Sequence, residues 1–348
     1  PLHARWRHFV LGGRDLWAAT AAKANWRDAA ARARAEFDLA IVSVLLDAGA
    51  GAGWRYADAA TGLAIGRSEG LALASLRMFE AGVFSAEPHD PLRADADRLI
   101  ALSADDLARG FQVHTGNPLA GLHGRTALLQ RLGRAMHDNS AVFASHDTAR
   151  AGGLFDHLAA DAHGAALPAP DILRALLINL GDIWQNRLTL AGVPLGDTWR
   201  HVAIKRDDAT DGLVPLHKLS QWLSYSLVEP LQRAGVIVMD MDGLTGLAEY
   251  RNGGLFIDAG VLVLRNPDAA RAALAVDSES VVEWRALTVA LLDALLPMVR
   301  ARLNLSTESF PLGSLLEGGT WAAGRRIALE KRPGGGPPLT VVSDGTVF

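Results

Sequence analysis

The chain of 348 residues is 49% hydrophobic and 21% charged, with a formal net charge of −4, which is typical of a folded globular protein. This mild acidity excludes the broad basic surface of nucleic-acid-binding proteins, so no nucleic-acid partner is expected. The absence of cysteine excludes disulfides, thiolate zinc sites, iron–sulfur clusters and a cysteine nucleophile. No apolar run approaches the roughly 18 residues that a membrane span needs, so no membrane association is expected, and the predicted location is the cytoplasm.

Apolar residues at helical spacing dominate the chain and predict most of its secondary structure. In chain order, the predicted helices cover Ala18–Ala48, Gly70–Ala81, Ser103–Gly110, Thr126–Met136, Asp171–Leu190, His217–Ala234 and Ser278–Arg302. Asp171 directly follows Pro170 and is the expected N-cap of its helix. Helix is therefore the prevailing local state.

Strand signals are few and short. They lie at Val236–Met239, at Leu255–Leu264 with its β-branched residues, and at Thr340–Phe348, and the last two are expected to form small hairpins. No repeat, linker or shift in composition divides the chain. The predicted fold is therefore mainly α, with residues 1–348 forming a single helical domain that carries small β hairpins. Because the first residue is a proline, we also expect the natural protein to carry an additional N-terminal extension.

A glycine-rich string, Val44–Gly53, is similar to the first motif of S-adenosylmethionine-dependent methyltransferases, in which a strand ends in an acidic residue before a glycine loop. Trp54 occupies the place of the third glycine of the dinucleotide-binding pattern, and strands do not alternate with helices. The preceding run, Phe37–Leu46, fits a buried helix as well as a strand. We therefore favour a core helix ended by glycines and keep the methyltransferase as a minor alternative.

The eleven histidines suggest a metal site, but none has a close ligand spacing such as His-Glu-x-x-His, so no metal and no cofactor are predicted. Two polar strings are harder to explain as surface. Asp240–Gly254 crowds Asp240, Asp242 and Glu249 with Arg251 into a turn-rich stretch, and Leu315–Arg326 sets Glu317 ahead of a glycine pair. Glu283 and Arg285 are expected to form structural ion pairs.

At these strings the sequence resembles the uracil-catabolism protein family of fungi and bacteria. The resemblance covers nearly the whole chain and is most specific in LTGLAEYRNGGLFIDAG and EGGTWAAGRRIA. It implies a role after the opening of the pyrimidine ring, where ribosylurea is an intermediate on the way to urea. The cluster His3–His8 also resembles this family, and we interpret it as an exposed basic strip without a catalytic role.

A more distant resemblance links the same blocks to the queuosine-nucleotide N-glycosylase family, whose helical fold is similar to DNA glycosylases. The LT-x-x-x-DYR string of that family matches Leu244–Arg251, its KRAQ string matches Lys218–Gln221, and its EIR string matches Glu283–Arg285. Glutamate replaces aspartate at Glu249, and two glycines replace a Pro-Gln pair, so the pocket is expected to differ in shape. The acidic positions of that family fall on Asp240 and Glu317, which the resemblance implies to be catalytic, with Asp242 as a local competitor of Asp240.

Cleavage of an N-ribosyl bond suits such carboxylates, because one can stabilise an oxocarbenium-like sugar or activate water while another protonates the leaving group. We assign Asp240 as base or nucleophile and Glu317 as sugar or urea ligand or as acid; a pocket lacking either would contradict this pairing. The expected substrate-binding residues are Asp242, Glu249, Arg251, Asn252, Lys218, Gln221, His217, Arg325 and Trp321. Lys218, Arg251 and the pair Arg325–Arg326 are the candidates for a 5′-phosphate.

The predicted function is therefore an N-glycoside hydrolase that cleaves ribosylurea, as its 5′-phosphate, to urea and ribose phosphate. The substrate is a small ribosyl or nucleotide-derived molecule, and other uracil-catabolism enzymes are the expected protein partners. Two alternatives stay open: a hydrolase for another modified nucleotide, and a non-catalytic partner that channels the ring-opened intermediate.

Overall fold

The computed structural model describes residues 1–145, 148–162, 166–184, 187–342 and 345–346, and the chain in these ranges is mainly helical, as predicted. The α-helices are α1 Leu16–Ala21, α2 Ala29–Leu45, α3 Arg67–Glu80, α4 Ala96–Ile100, α5 Ala104–Gly110, α6 Leu122–Asp138, α7 Ser140–Phe143, α8 Gly153–Asp161, α9 Ala169–Leu180, α10 Lys218–Arg233, α11 Tyr250–Asp258, α12 Glu279–Leu303, α13 Leu312–Ser314 and α14 Ala322–Lys331. Shorter 3₁₀ turns cover Arg5–Phe9, Gly181–Ile183, Met241–Gly243, Pro267–Arg271 and Pro333–Gly335, and a π-helical segment covers Leu315–Trp321.

The strands are short and pair only two at a time within the described ranges. They are β1 Val10–Leu11, β2 Arg14–Asp15, β3 Tyr56–Asp58, β4 Leu63–Ile65, β5 Ala144–Ser145, β6 Thr148–Ala149, β7 Leu167–Pro168, β8 Thr189–Leu190, β9 Val193–Pro194, β10 Thr198–Arg200, β11 Leu213–Pro215, β12 Val238–Met239, β13 Ala273–Leu274 and β14 Thr340–Val341. Five pairs are antiparallel ribbons of consecutive strands; β12 pairs with β7, and β13 with β14, in parallel register.

Helix α2 forms the centre of the core. It begins after the N-cap Asp28, whose carboxylate accepts a hydrogen bond of 2.7 Å from the backbone N–H of Ala31. Every residue from Phe37 to Leu46 is buried, and the helix packs against α3, α8 and α10. Because this run is helical throughout, the strand that the methyltransferase motif requires is absent, and that alternative is wrong.

Three predicted boundaries or elements need correction. Helix α9 begins at Ala169, so Asp171 lies in its first turn rather than at its N-cap, and the helix ends at Leu180 instead of Leu190. The predicted strand Leu255–Leu264 is wrong, since its first part belongs to helix α11. Its β-branched residues favour a strand locally, but Glu249 caps the backbone N–H groups at the start of a helix.

The C-terminal prediction is confirmed only in part. Of Thr340–Phe348, β14 covers Thr340–Val341 and pairs in parallel with β13 instead of forming a hairpin. Residues 343–344 and 347–348 lie outside the described residues. The helix predicted over Ser278–Arg302 agrees with α12 to within one residue at each end.

One hydrophobic cluster draws buried residues from Ala4 near the start of the chain to Leu316 near its end. The core is thus shared by segments that are distant in the sequence, and the single domain stays a prediction. No helix in the described ranges is long and apolar enough to cross a membrane.

Candidate active site

Two adjoining spaces lie where the N-terminal segment meets α3, α10 and the π-helical segment. The smaller, which we call the inner cavity, has a volume of about 40 Å³ and is lined by His3, His8, Asp47, Ser68, Glu69, Lys218, Trp222, Leu247, Glu249, Tyr250, Arg251 and Trp321. The larger, which we call the outer groove, has a volume of about 730 Å³. Both contain His8, Glu69 and Trp321, so the inner cavity adjoins the outer groove.

The N-terminal segment forms one wall of the inner cavity. His3, Arg5 and His8 are all buried, and the backbone N–H of His3 donates to the carbonyl of Gly313 at 2.8 Å. Burial, together with the charge of Arg5, holds the pKa of His8 well below its usual range, so its ring is neutral at pH 7. The prediction of an exposed strip at His3–His8 is therefore wrong.

Arg5 is buried because it has a buried counter-charge. Its Nη1 donates to Oδ1 of Asp47 at 2.5 Å, and its Nε donates to the hydroxyl of Ser43 at 2.6 Å. The hydroxyl of Ser68 also donates to Oδ1 of Asp47 at 2.6 Å. Among the described residues, none donates to Oδ2 of Asp47, so one carboxylate oxygen is held and the other is available in the inner cavity.

Asp47 was not predicted as a site residue. Its only signal in the sequence is its place in the glycine-rich string, where helix α2 ends at Leu45 and the chain turns. The resemblance to a cofactor loop singled out the right segment but implied the wrong chemistry for it.

Glu249 lies on the opposite side of the inner cavity as the N-cap of α11. Its two carboxylate oxygens accept hydrogen bonds from the backbone N–H groups of Arg251 at 2.7 Å and Asn252 at 2.6 Å. Burial raises the pKa of Glu249, and these two N–H groups offset part of that rise. The carboxylate is therefore fixed in place by the start of a helix.

Lys218 is the first residue of α10, and its ammonium lies 5.3 Å from the ring centre of Trp222. Burial lowers the pKa of Lys218, while Asp47 and Glu249 attract its positive charge. In the part of the chain that the structure describes, no acceptor binds this ammonium, and the indole N–H of Trp222 is also without an acceptor. A buried polar donor without a protein partner is costly, so the indole N–H of Trp222 indicates a place for a polar ligand.

A buried ion pair fixes Lys218 relative to Glu249. The carboxylate of Asp197 accepts the backbone N–H of Lys218 at 2.9 Å and two guanidinium bonds from Arg285 at 2.7 and 2.8 Å. The Nε of Arg285 donates to the carbonyl of Ala248, which precedes Glu249. For Arg285 the expected structural ion pair is thus present.

Glu317 and Trp321 lie on the π-helical segment. Glu317 lines the outer groove, and its Oε2 lies 2.5 Å from Nδ1 of His3. The ring of His3 stacks on Trp222 with centres 5.8 Å apart. Since π-helical turns are often found at functional sites, this local geometry agrees with a functional role for Glu317.

The acidic turn does not reach either space. Asp240 is exposed, has a left-handed backbone with φ 54°, and lines neither the inner cavity nor the outer groove. Asp242 accepts a bond from Arg300 at 2.6 Å and one from the backbone N–H of Leu312 at 3.0 Å, which makes it a structural link. The structure therefore does not bring Asp240 to Glu317, and the predicted catalytic pair is not formed.

The other predicted binding residues divide into two groups. Lys218, Glu249, Arg251 and Trp321 line the inner cavity, and Arg325 lines the outer groove, where it pairs with Glu69. The remaining three line neither space: Gln221, Asn252 and His217. The amide oxygen of Gln221 accepts the backbone N–H of Thr245 at 3.1 Å, and His217 lines a separate apolar pocket.

The whole chain, residues 1–348, matches the family model described as "Protein of unknown function (DUF1688)". The chain belongs to this family. It is 40% identical over 361 residues to "Protein urg3" of Schizosaccharomyces pombe, covering 100% of this chain and 84% of the relative. It is also 39% identical over 381 residues to "Uracil catabolism protein 4" of Lachancea kluyveri, covering 100% of this chain and 85% of the relative. The family membership inferred from the sequence motifs is thus confirmed.

Proposed function

We propose that the protein is an N-glycoside hydrolase of uracil catabolism, which cleaves the N-ribosyl bond of ribosylurea 5′-phosphate to urea and ribose 5-phosphate. One observation carries the proposal. The inner cavity holds two buried carboxylates, Asp47 and Glu249, together with a lysine that lacks a protein acceptor within the described ranges. The relative from Lachancea kluyveri is named for uracil catabolism, which supports the pathway.

The two carboxylates of the inner cavity can stabilise the positive charge that develops on the ribose and activate the attacking water. As the bond between the anomeric carbon and nitrogen breaks, positive charge develops on the ribose ring. Glu249 is held by two backbone N–H groups, so its negative charge is already positioned when the cation forms. Asp47 has a free oxygen while Arg5 and Ser68 fix the other, so it activates the attacking water. These two residues take the place of the predicted pair Asp240 and Glu317.

Lys218 and its neighbours suit the urea group. A buried ammonium donates to the carbonyl oxygen of the ureido group, and the free indole N–H of Trp222 adds a second donor. Arg251 is anchored through its Nη1, which donates to the carbonyl of Gly335 at 2.8 Å. The inner cavity therefore favours a small planar group that is rich in hydrogen-bond acceptors and donors.

The outer groove suits the ribose phosphate. It is lined by four arginines and two glutamates, namely Arg7, Arg55, Arg67, Arg325, Glu69 and Glu317, so it is locally cationic in a chain of net charge −4. The guanidinium of Arg55 forms no ion pair with the described residues, whereas Arg325 pairs with Glu69. A phosphate there gains charge-assisted hydrogen bonds, which supports the phosphorylated substrate over the free riboside.

The experiment is urea release from synthetic ribosylurea, with and without the 5′-phosphate, by the wild-type chain and by Glu249→Gln. The substitution keeps the volume and one acceptor oxygen but removes the negative charge. We expect kcat to fall by about 10²–10⁴-fold, the range of a lost acid–base or charge-stabilising group. The matched control is Asp240→Asn, which removes a carboxylate outside both spaces and should change kcat less than about twofold.

The alternatives give different results in the same assay. A folded wild-type chain that binds ribosylurea without releasing urea is a channelling partner, and the proposal is then wrong. If the chain hydrolyses another modified nucleotide but not ribosylurea, the proposed reaction is right and the proposed substrate is wrong. If Asp240→Asn loses activity and Glu249→Gln retains it, the catalytic site lies at the acidic turn and the assignment to the inner cavity is wrong.

A further inference from the structure

A histidine and a carboxylate from opposite ends of the chain meet beside the inner cavity. Nδ1 of His3 lies 2.5 Å from Oε2 of Glu317, and the two residues are 314 positions apart. His3 is 3% exposed, and its ring lines the inner cavity. No described residue forms a hydrogen bond with the other ring nitrogen, Nε2.

The orientation of this ring is fixed from three sides. Its backbone N–H is bound to Gly313, its plane lies 22° from that of Trp222, and Trp321 covers it at 5.7 Å between ring centres. Glu317 is placed by the π-helical segment that also carries Trp321. A carboxylate on one nitrogen of an oriented imidazole leaves the opposite nitrogen to exchange a proton with a ligand.

We infer that His3 is the catalytic acid that protonates the departing urea, and that Glu317 is the positioning residue that holds its ring. This inference rests on the proposed function. In the step, the C1′–N bond breaks and its electron pair passes to the ureido nitrogen, which takes the proton from Nε2 of the protonated His3. The oxygen of water bonds to C1′, and the released water proton passes to Oδ2 of Asp47. Solvent then returns a proton to His3 and removes one from Asp47, so the net reaction consumes one water.

Other groups at the inner cavity are less suited to this step. His8 is neutral, and its Nδ1 is buried without a partner in the described part of the chain. Arg251 also lines the inner cavity, but arginine acts as a fixed charge in proteins rather than as an acid. The ammonium of Lys218 lies on the ring of Trp222 without a hydrogen-bond acceptor among the described residues, whereas the ring of His3 is held by the carboxylate of Glu317.

The test compares two leaving groups. Without a proton, urea would leave as a strongly basic anion, whereas 4-nitrophenolate is a good leaving group and needs little protonation. We therefore use 4-nitrophenyl riboside 5′-phosphate as the second substrate. For His3→Gln we expect kcat on ribosylurea to fall by about 10²–10³-fold, while kcat on the aryl riboside changes less than about fivefold. Free imidazole should restore part of the urea release in His3→Ala, since it can enter the space that the ring leaves.

Glu317→Gln breaks the pair and leaves His3 packed in the wall. We expect a fall of about tenfold on ribosylurea, no comparable fall on the aryl riboside, and partial recovery in Glu317→Asp. The matched histidine control is His157→Gln, which removes a partly exposed ring that lies 3.6 Å from Asp161 on the same helix. It should leave both rates unchanged.

The outcomes separate the two proposals. A selective loss on ribosylurea in both variants supports the acid role of His3. If kcat falls equally on both substrates in a folded His3→Gln protein, or falls on neither, the acid role of His3 is wrong. Urea release by the wild type would still support the proposed function in that case. A wild-type chain that cleaves neither substrate overturns the proposed function and the acid role with it.

Discussion

The acidic turn and the inner cavity both concentrate carboxylates, but they do so in different ways. Asp240 and Asp242 are two positions apart in the sequence, and both are exposed. Asp47 and Glu249 are about 200 positions apart, and both are buried against fixed donors. Two carboxylates that are close in the sequence thus lie on an exposed turn, whereas the proposed catalytic carboxylates come together only through the packing of α10, α11 and the segment after α2.

The largest effect is expected for Asp47→Asn, compared with Asp242→Asn. Asp47 is the carboxylate partner of a fully buried guanidinium, so its loss leaves an uncompensated charge and should cost about 3–5 kcal/mol of unfolding free energy. Asp242 is 28% exposed in its pair with Arg300, so its loss should cost about 1 kcal/mol or less. Urea denaturation measures both, and equal costs would contradict the distinction between the cavity and the turn.

Lys218→Met tests whether the inner cavity is built for a ligand rather than for stability. Removal of a buried ammonium that lacks a described acceptor should raise the unfolding free energy by about 1 kcal/mol or more. The same change should abolish detectable urea release. Thermal unfolding of the two proteins without substrate is the measurement, with Lys205→Met, a lysine in an exposed loop, as the matched control. A less stable Lys218→Met protein would mean that the lysine is structural.

The pH dependence of urea release should reflect two groups of the inner cavity whose pKa values are shifted by burial. Burial raises the pKa of Glu249, so on acidification it takes up a proton and activity falls at a pH above the usual range of a glutamate. Burial lowers the pKa of Lys218, so its ammonium is lost at a pH below the usual range of a lysine. The KM for ribosylurea 5′-phosphate should rise there, because Lys218 is proposed to bind the ureido carbonyl. A pH profile of urea release checks both limbs, and an acid limb unchanged in Glu249→Gln would contradict the first assignment.

The smallest effect is expected for Arg326→Ala. Arg326 is exposed and pairs with Glu330 one helical turn away at 2.8 Å, so the loss should be about 0.3–0.5 kcal/mol. KM for the phosphorylated substrate should not change, because Arg326 lines neither space. Arg55→Ala, on a groove residue, should instead raise that KM. Equal KM values in Arg326→Ala and Arg55→Ala would mean that Arg55 does not bind the phosphate.

Much of the fold was predictable, because long amphipathic runs such as α12 have a clear helical period. The strand predicted at Leu255–Leu264 was wrong because its first part is helical. The side chain of Glu249 accepts hydrogen bonds from backbone N–H groups at the start of α11, and this cap outweighs the local β propensity. The resemblance implied Lys218 and Glu249 as binding residues, and both line the inner cavity. It also implied a catalytic role for Asp240, which lines neither space. Asp47 and His3 could not be found from the sequence, since only tertiary packing brings them to Glu249 and Glu317.

The contact between His3 and Glu317 closes a loop of more than three hundred residues, so it forms only after synthesis has passed Glu317. A nascent or shortened chain that stops before Glu317 contains every other residue proposed for the chemistry, yet lacks the carboxylate that orients the acid. Full activity is thus expected only once the segment that carries His3 has docked against the π-helical segment, and urea release would report on that docking.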